Sequence, residues 1–142
     1  IQHTAALKNS LPLCDWLFPM ITSVVEERGY AGDITVPAEL FTAVTGVEAT
    51  IEELMKVGER IWNLQRAIMV KEGRTRGGDT LPERFFNYYQ GLTGSPPIDR
   101  ERWESLKDIY YSLRGWDVKT GIPTKTKLKE LGLDEVAETI GV

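Results

Sequence analysis

Cys14 is the only thiol in the chain and His3 the only imidazole, so nucleophilic catalysis of the cysteine-histidine kind has a single combination to draw on. The two lie eleven residues apart. A lone cysteine is more often a small buried hydrophobe, and the stretch NSLPLCDWLFP, residues 9 to 19, sets Cys14 beside the apolar run Trp16, Leu17 and Phe18. The stretch GRTRGGDT, Gly73 to Thr80, mixes two arginines with three glycines. Its backbone amides would suit an anion, and its plainer reading is a solvated turn after a helix. The aromatic set Trp16, Trp62, Trp103, Trp116, Tyr88, Tyr89, Tyr110 and Tyr111 has the flat faces to stack a ligand. At helical spacing such side chains more often fill a core. No CxxC, HExxH, Walker loop or GxGxxG occurs, so no metal or nucleotide motif stands on spacing alone.

The elements that must hold these residues are helical. Thr50 and Glu53 form an S/T-x-x-E capping box, and Ile51, Leu54, Met55, Val57, Ile61, Leu64, Ile68 and Met69 then recur at three- and four-residue steps until Gly73. This predicts a long amphipathic helix with Ile61, Leu64 and Ile68 on one buried face. Pro37 opens a short helix through Phe41 and Val44 that ends at Gly46. Asp99 caps a helix that carries Trp103, Leu106, Ile109, Tyr110 and Leu113 inward and stops at Gly115. Thr124 caps another that ends near Gly132, and Leu133 to Ile140 reads as a last short helical turn or two. An earlier helix is expected from Cys14 or Trp16 to Arg28, with Pro19 in its first turn. The joints are Gly29 to Val36, Gly73 to Pro82 and Gly91 to Ile98. No segment shows the sustained alternation of a half-buried strand, so the expected fold is all-α, an irregular bundle of about six helices forming one domain over residues 1 to 142.

Composition narrows the partners. Seventeen basic against twenty-one acidic residues give a net charge of -4, which argues against general affinity for nucleic acid or anionic lipid. The run WLFPMITSVV is cut short by Glu26, Glu27 and Arg28, well below the roughly 18 apolar residues a membrane helix needs. One cysteine excludes an internal disulfide and points to a reducing cytoplasm. An opening on IQHTAALKN, without Met, suggests a piece of something longer.

Two segments carry a specific resemblance. GERIWNLQRAIMVKEGRTRGGDTLPERFF, Gly58 to Phe86, and LRGWDVKTGIPTKTKLKELGLDEVA, Leu113 to Ala137, resemble in order and spacing the C-terminal region of the tungsten-containing aldehyde ferredoxin oxidoreductases. That family's D-x-x-G-L-C motif falls on residues 9 to 14: Asn9 stands at the acid, Pro12 at the glycine, Leu13 at the leucine and Cys14 at the last position. The resemblance implies that Cys14 is the fourth cysteine of a four-iron four-sulfur cluster. Asn9, Ser10 and Leu13 then lie at the pterin of a tungsten bis-pterin cofactor, where Asn9 offers hydrogen bonds but no charge. An apolar flank limits solvent at such a cluster and tunes its potential.

In the family the other three cluster cysteines lie upstream. The 142 residues alone are therefore expected to be inactive and metal-free, and their partners are the remaining domains of the parent chain and ferredoxin or another electron-transfer subunit. The implied activity is oxidation of aldehydes to carboxylic acids. An alternative within the same superfamily is the tungsten subunit of a class II benzoyl-coenzyme A reductase. An alternative of another class is a non-catalytic helical interaction module in which Cys14 only packs.

Overall fold

The computed structural model describes residues 2–11, 26–88 and 94–142. Among them are seven α-helices: α1 (Gln2–Ser10), α2 (Val36–Thr45), α3 (Ile51–Lys71), α4 (Arg84–Asn87), α5 (Arg100–Arg114), α6 (Lys125–Glu130) and α7 (Asp134–Ile140), with short 3-10 turns at Glu26–Arg28 and Arg76–Gly78. The described residues form no sheet, and Trp116 pairs with Pro123 only as an isolated antiparallel bridge. The all-α expectation holds. Three helices start where their cap residues predict. The Thr50 amide donates to Glu53 Oε2 at 2.8 Å and the Glu53 amide to Thr50 Oγ1 at 3.2 Å, so the capping box is formed. Asp99 accepts from the Arg102 amide at 2.7 Å, and Thr124 from the Lys127 amide at 3.2 Å.

The chain gathers into two compact units, residues 1–63 and 64–142, where the sequence reading treats it as one domain. The partition falls within the continuous helix α3 rather than at a Gly- or Pro-rich linker.

In the first unit Leu7, Ala38 and Leu54 are buried together, with Leu11, Phe41, Ala49 and Met55 packed against them. Helix α1 was not expected, because QHTAALKNS has neither an apolar stripe nor a cap signal. Tertiary burial of Ala6 and Leu7 makes it, as short helices need. Its approach to α3 is close: a Cβ at Gly58 would overlap the His3 carbonyl. Gly58 is therefore tolerated in mid-helix, despite its poor propensity, because no side chain fits there. The helix expected from Cys14 or Trp16 to Arg28 lies outside the described residues except at its end, where Glu26–Arg28 is a 3-10 turn.

In the second unit Leu128, Leu131, Leu133 and Ala137 form a buried cluster joined by Leu64, Val136, Ile140 and Val142. Two readings of facing are corrected. On α3, Ile68 is 54% exposed while Leu54, Asn63, Arg66 and Ala67 are buried, because polar side chains with internal partners occupy part of the inner arc and apolar periodicity does not count them. On α5, Leu106, Ile109 and Leu113 are 51%, 57% and 78% exposed. The inward side is instead set by Tyr111 and Lys107, with Trp103 and Tyr110 half-buried. The aromatic-core expectation holds for Tyr111 and Trp116, whereas Tyr88 is exposed.

Candidate functional site

Asn9 and Ser10 close helix α1, and both are exposed. The Ser10 hydroxyl donates back to the Ala6 carbonyl at 2.8 Å, and the Leu11 amide to the Leu7 carbonyl at 3.0 Å. These bonds satisfy carbonyls at the helix end and leave the Ser10 oxygen lone pairs and the Asn9 amide at the surface. Leu13 and Cys14 lie outside the described residues. Among the described residues no group of three or more His, Cys, Asp or Glu side chains could hold a metal ion, and no helix is long and apolar enough to cross a membrane.

A dense polar constellation among the described residues of the second unit lies elsewhere. Arg66 is 5% exposed. Its Nη1 and Nη2 donate to Asp79 Oδ1 and Oδ2 at 3.0 and 2.6 Å, and its Nε to the Gly121 carbonyl at 2.8 Å. The same guanidinium lies 4.8 Å from the centre of the Trp116 ring and 5.7 Å from that of Tyr111, within cation-π range. Asp79 also accepts from Arg74 Nε at 2.8 Å and from the Tyr111 hydroxyl. Burial disfavours its charge, but the hydrogen bonds from Arg66, Tyr111 and Arg74 outweigh it and hold the carboxyl at about 2 rather than 3.8. Tyr111 moves the other way. Burial and then the hydrogen bond to Asp79 push its phenol up to about 12.

The backbone is shaped to allow this. Gly121 sits at φ 73°, a left-handed conformation that favours glycine, and a Cβ there would reach the Tyr111 ring at 3.0 Å and crowd Arg66. Asp117 Oδ1 accepts from the Thr120 amide at 2.8 Å and hydroxyl at 2.7 Å, while the Asp117 amide donates to the Ile122 carbonyl. Those bonds fold RGWDVKTGIPT into a tight turn that aims the Gly121 carbonyl at Arg66.

A neighbouring arginine completes the knot. Arg76 donates to Asp108 Oδ1 at 2.6 Å, to Glu104 Oε2 at 2.7 Å and to the Val118 carbonyl. The glycine-arginine loop is therefore neither a free anion cradle nor a plain solvated turn. Arg74 and Arg76 are each paired with acids of the same unit, so the charge of the loop is met from within. The constellation is a structural clasp: it ties α3, the loop after it, α5 and the turn at Gly121 to one another. Sequence reading held Arg66, Arg74, Arg76 and Asp79 in one segment and Trp116 and Gly121 in another, named Tyr111 only among the aromatics, and missed that they meet. The signal available was weak: Arg66 is one of several charged residues on α3, and only its burial shows that it requires partners.

The comparisons with known proteins bear on the whole of this architecture. A family model described as aldehyde ferredoxin oxidoreductase, domains 2 and 3, matches residues 1–133. A tungsten-containing aldehyde ferredoxin oxidoreductase of Pyrococcus furiosus is 39% identical over 127 residues, covering 84% of this chain and 20% of the relative. One from Pyrococcus horikoshii is 34% identical over 130 residues, with the same shares. The chain thus spans about a fifth of the length of these relatives. Among solved structures, the active-site complex BamBC of benzoyl coenzyme A reductase with 1,5-dienoyl-CoA is similar with a TM-score of 0.62 and 30% identity, over 75% of this chain and 15% of that one. With its helical architecture, its two segment signatures and a family match over nearly its full length, this chain belongs to the aldehyde ferredoxin oxidoreductase family.

Proposed function

We propose that the chain is the C-terminal part of a tungsten and iron-sulfur oxidoreductase that oxidises aldehydes to carboxylic acids and passes the electrons to ferredoxin in the cytoplasm. The observation that carries this reading is the 39% identity to a tungsten-containing aldehyde ferredoxin oxidoreductase, together with the family match over residues 1–133.

In this reading Cys14 supplies one thiolate to a four-iron four-sulfur cluster, which when bound moves electrons singly away from the pterin-held metal. The chemistry of the donor set fits: Cys14 is a soft sulfur ligand flanked in sequence by Leu13, Trp16 and Leu17. Asn9 and Ser10 are exposed polar groups at the end of α1, free to hydrogen-bond a pterin edge presented by the rest of the enzyme. Leu13 and the following apolar run would keep water from that edge. One cysteine cannot hold a cluster that takes four ligands, so the 142 residues act only within the larger protein.

The structural likeness to the benzoyl coenzyme A reductase complex supports a second reading, in which the parent is the tungsten subunit of such a reductase. Metal analysis and turnover of the full-length parent, purified without oxygen, decide between them. The first reading predicts tungsten, iron and pterin in the protein and aldehyde-dependent reduction of ferredoxin. Metal without aldehyde oxidation, together with reduction of an aromatic coenzyme A thioester, would favour the second. A parent free of tungsten and iron would leave a helical interaction module and contradict both.

A further inference from the structure

We infer that the first unit, residues 1–63, opens by itself while the clasped second unit stays closed, and that α3 breaks at Asn63 when it does.

The two ends of α3 are held by different residues. At Leu54 and Met55 the helix packs with Leu7 and Ala38, and at Gly58 it lies against the His3 carbonyl. From Leu64 onward it joins the cluster of Leu128, Leu131, Leu133 and Ala137, and Arg66 ties it to Asp79 and to the Gly121 carbonyl. Every partner in the clasp lies within residues 64–142. Unwinding residues 51–63 therefore breaks none of the clasp's hydrogen bonds.

The helix is also locally weak before the boundary. Gly58 is a poor helix former in mid-helix, and Asn63 ranks low as well. The Asn63 side chain is fully buried, and its amide donates to the Glu59 carbonyl at 3.0 Å, a local bond that competes with the helical ladder. Asparagine is, by contrast, among the best residues for starting a helix. Once the turn before it unwinds, Asn63 can cap residues 64–71, its side-chain oxygen accepting from the Gln65 or Arg66 amide, while Leu64 and Arg66 stay held by the second unit. The break thus falls where the sequence offers a new helix start. Asn9 and Ser10 lie on the side that opens, so the groups proposed to meet the pterin belong to the part of the chain that yields first.

The test is amide hydrogen exchange under native conditions, followed residue by residue by NMR on the 142-residue chain. Wild type is compared with Leu7→Ala, the milder Ala38→Gly, and Asp79→Asn. In wild type, α1, α2 and residues 55–62 should exchange through one opening, and residues 68–71 and α5 through another that is about 10-fold rarer or more. Leu7→Ala should speed exchange in the first set about 30-fold or more, and Ala38→Gly about 5-fold, both leaving the second set unchanged. Asp79→Asn should act on the second set alone. A Leu7→Ala chain that loses all protection in the first set and keeps it in the second would support the inference equally. One common opening in wild type, or any variant that speeds both sets alike, would show a single cooperative body and overturn it. Exchange is read on the chain without cofactor, so the outcome is separate from that of the pterin and metal reading, which the composition of the parent decides.

Discussion

Replacing Asp79 with Asn keeps the size of the side chain and removes the charge on which three donors converge. In the native clasp the carboxylate, 18% exposed, receives two bonds from Arg66, one from Arg74 and one from Tyr111. An amide offers one acceptor oxygen and turns an NH2 toward groups that are themselves donors. Two independent estimates of the cost agree in order. The fall of the Asp79 carboxyl from 3.8 to about 2 corresponds, at about 1.4 kcal/mol per pH unit, to about 2.5 kcal/mol. Breaking a buried pair by removing one partner costs about 3 to 5 kcal/mol, and Asp79, being partly exposed, belongs near the lower end.

A loss of about 3 kcal/mol out of a typical 5 to 15 kcal/mol is a large fraction of stability. With a urea slope of about 1 to 3 kcal/mol per molar, the midpoint should fall by about 1 to 3 M. Unfolding followed by Trp fluorescence reads this directly, since Trp116 lies under Arg66. The pH dependence gives a second check with a fixed sign. Because the folded value is below the unfolded one, the contribution of Asp79 is complete above about pH 4 and is lost as pH falls toward 2. Wild type should lose about 2 kcal/mol more than Asp79→Asn across that interval. A midpoint shift below about 0.3 M, or identical acid profiles for the two proteins, would refute the clasp as an energetic feature.

Gly58→Ala should destabilise the first unit by about 1 to 3 kcal/mol through overpacking against the His3 backbone, although alanine is the better helix former by about 1 kcal/mol; stabilisation in urea unfolding would contradict the close α1-α3 approach. Gly121→Ala combines about 1 to 2 kcal/mol of left-handed strain with crowding of Arg66 and Tyr111. It should lower the unfolding midpoint and shift Trp116 emission, and a fully native spectrum and midpoint would count against the turn geometry.

What the sequence made legible was local. The capping box at Thr50 and Glu53, the Asp99 and Thr124 caps and the stop at Gly115 each depend on residues within one turn of each other, and each appears in the structure. Facing was less legible, because α5 carries two competing stripes: the aromatic one packs, and the aliphatic Leu106, Ile109 and Leu113 do not. Helix α1 escaped notice because burial of Leu7 against Leu54 and Ala38, not pattern, sustains it. The clasp escaped because Arg66 and Gly121 are 55 residues apart, and with twenty-one acids available for seventeen bases no rule of sequence alone picks Asp79 as the partner. The proposed cofactor residues were reachable only through the segment resemblance, since one thiol among apolar neighbours is, by itself, what any core cysteine looks like.

The proposed role of Cys14 is tested by the iron content and paramagnetic resonance of a Cys14→Ser variant of the full-length parent. Serine is nearly isosteric, and even a buried hydroxyl without a partner costs only about 1 to 3 kcal/mol, so the protein should remain folded by circular dichroism. An alkoxide is a poorer ligand for iron than a thiolate. A ligand at this position should give, on substitution, lost or degraded cluster signal, reduced iron and failure of electron transfer to ferredoxin in an otherwise folded enzyme. Full iron content with an unchanged cluster signal and normal electron transfer would contradict it and return Cys14 to packing.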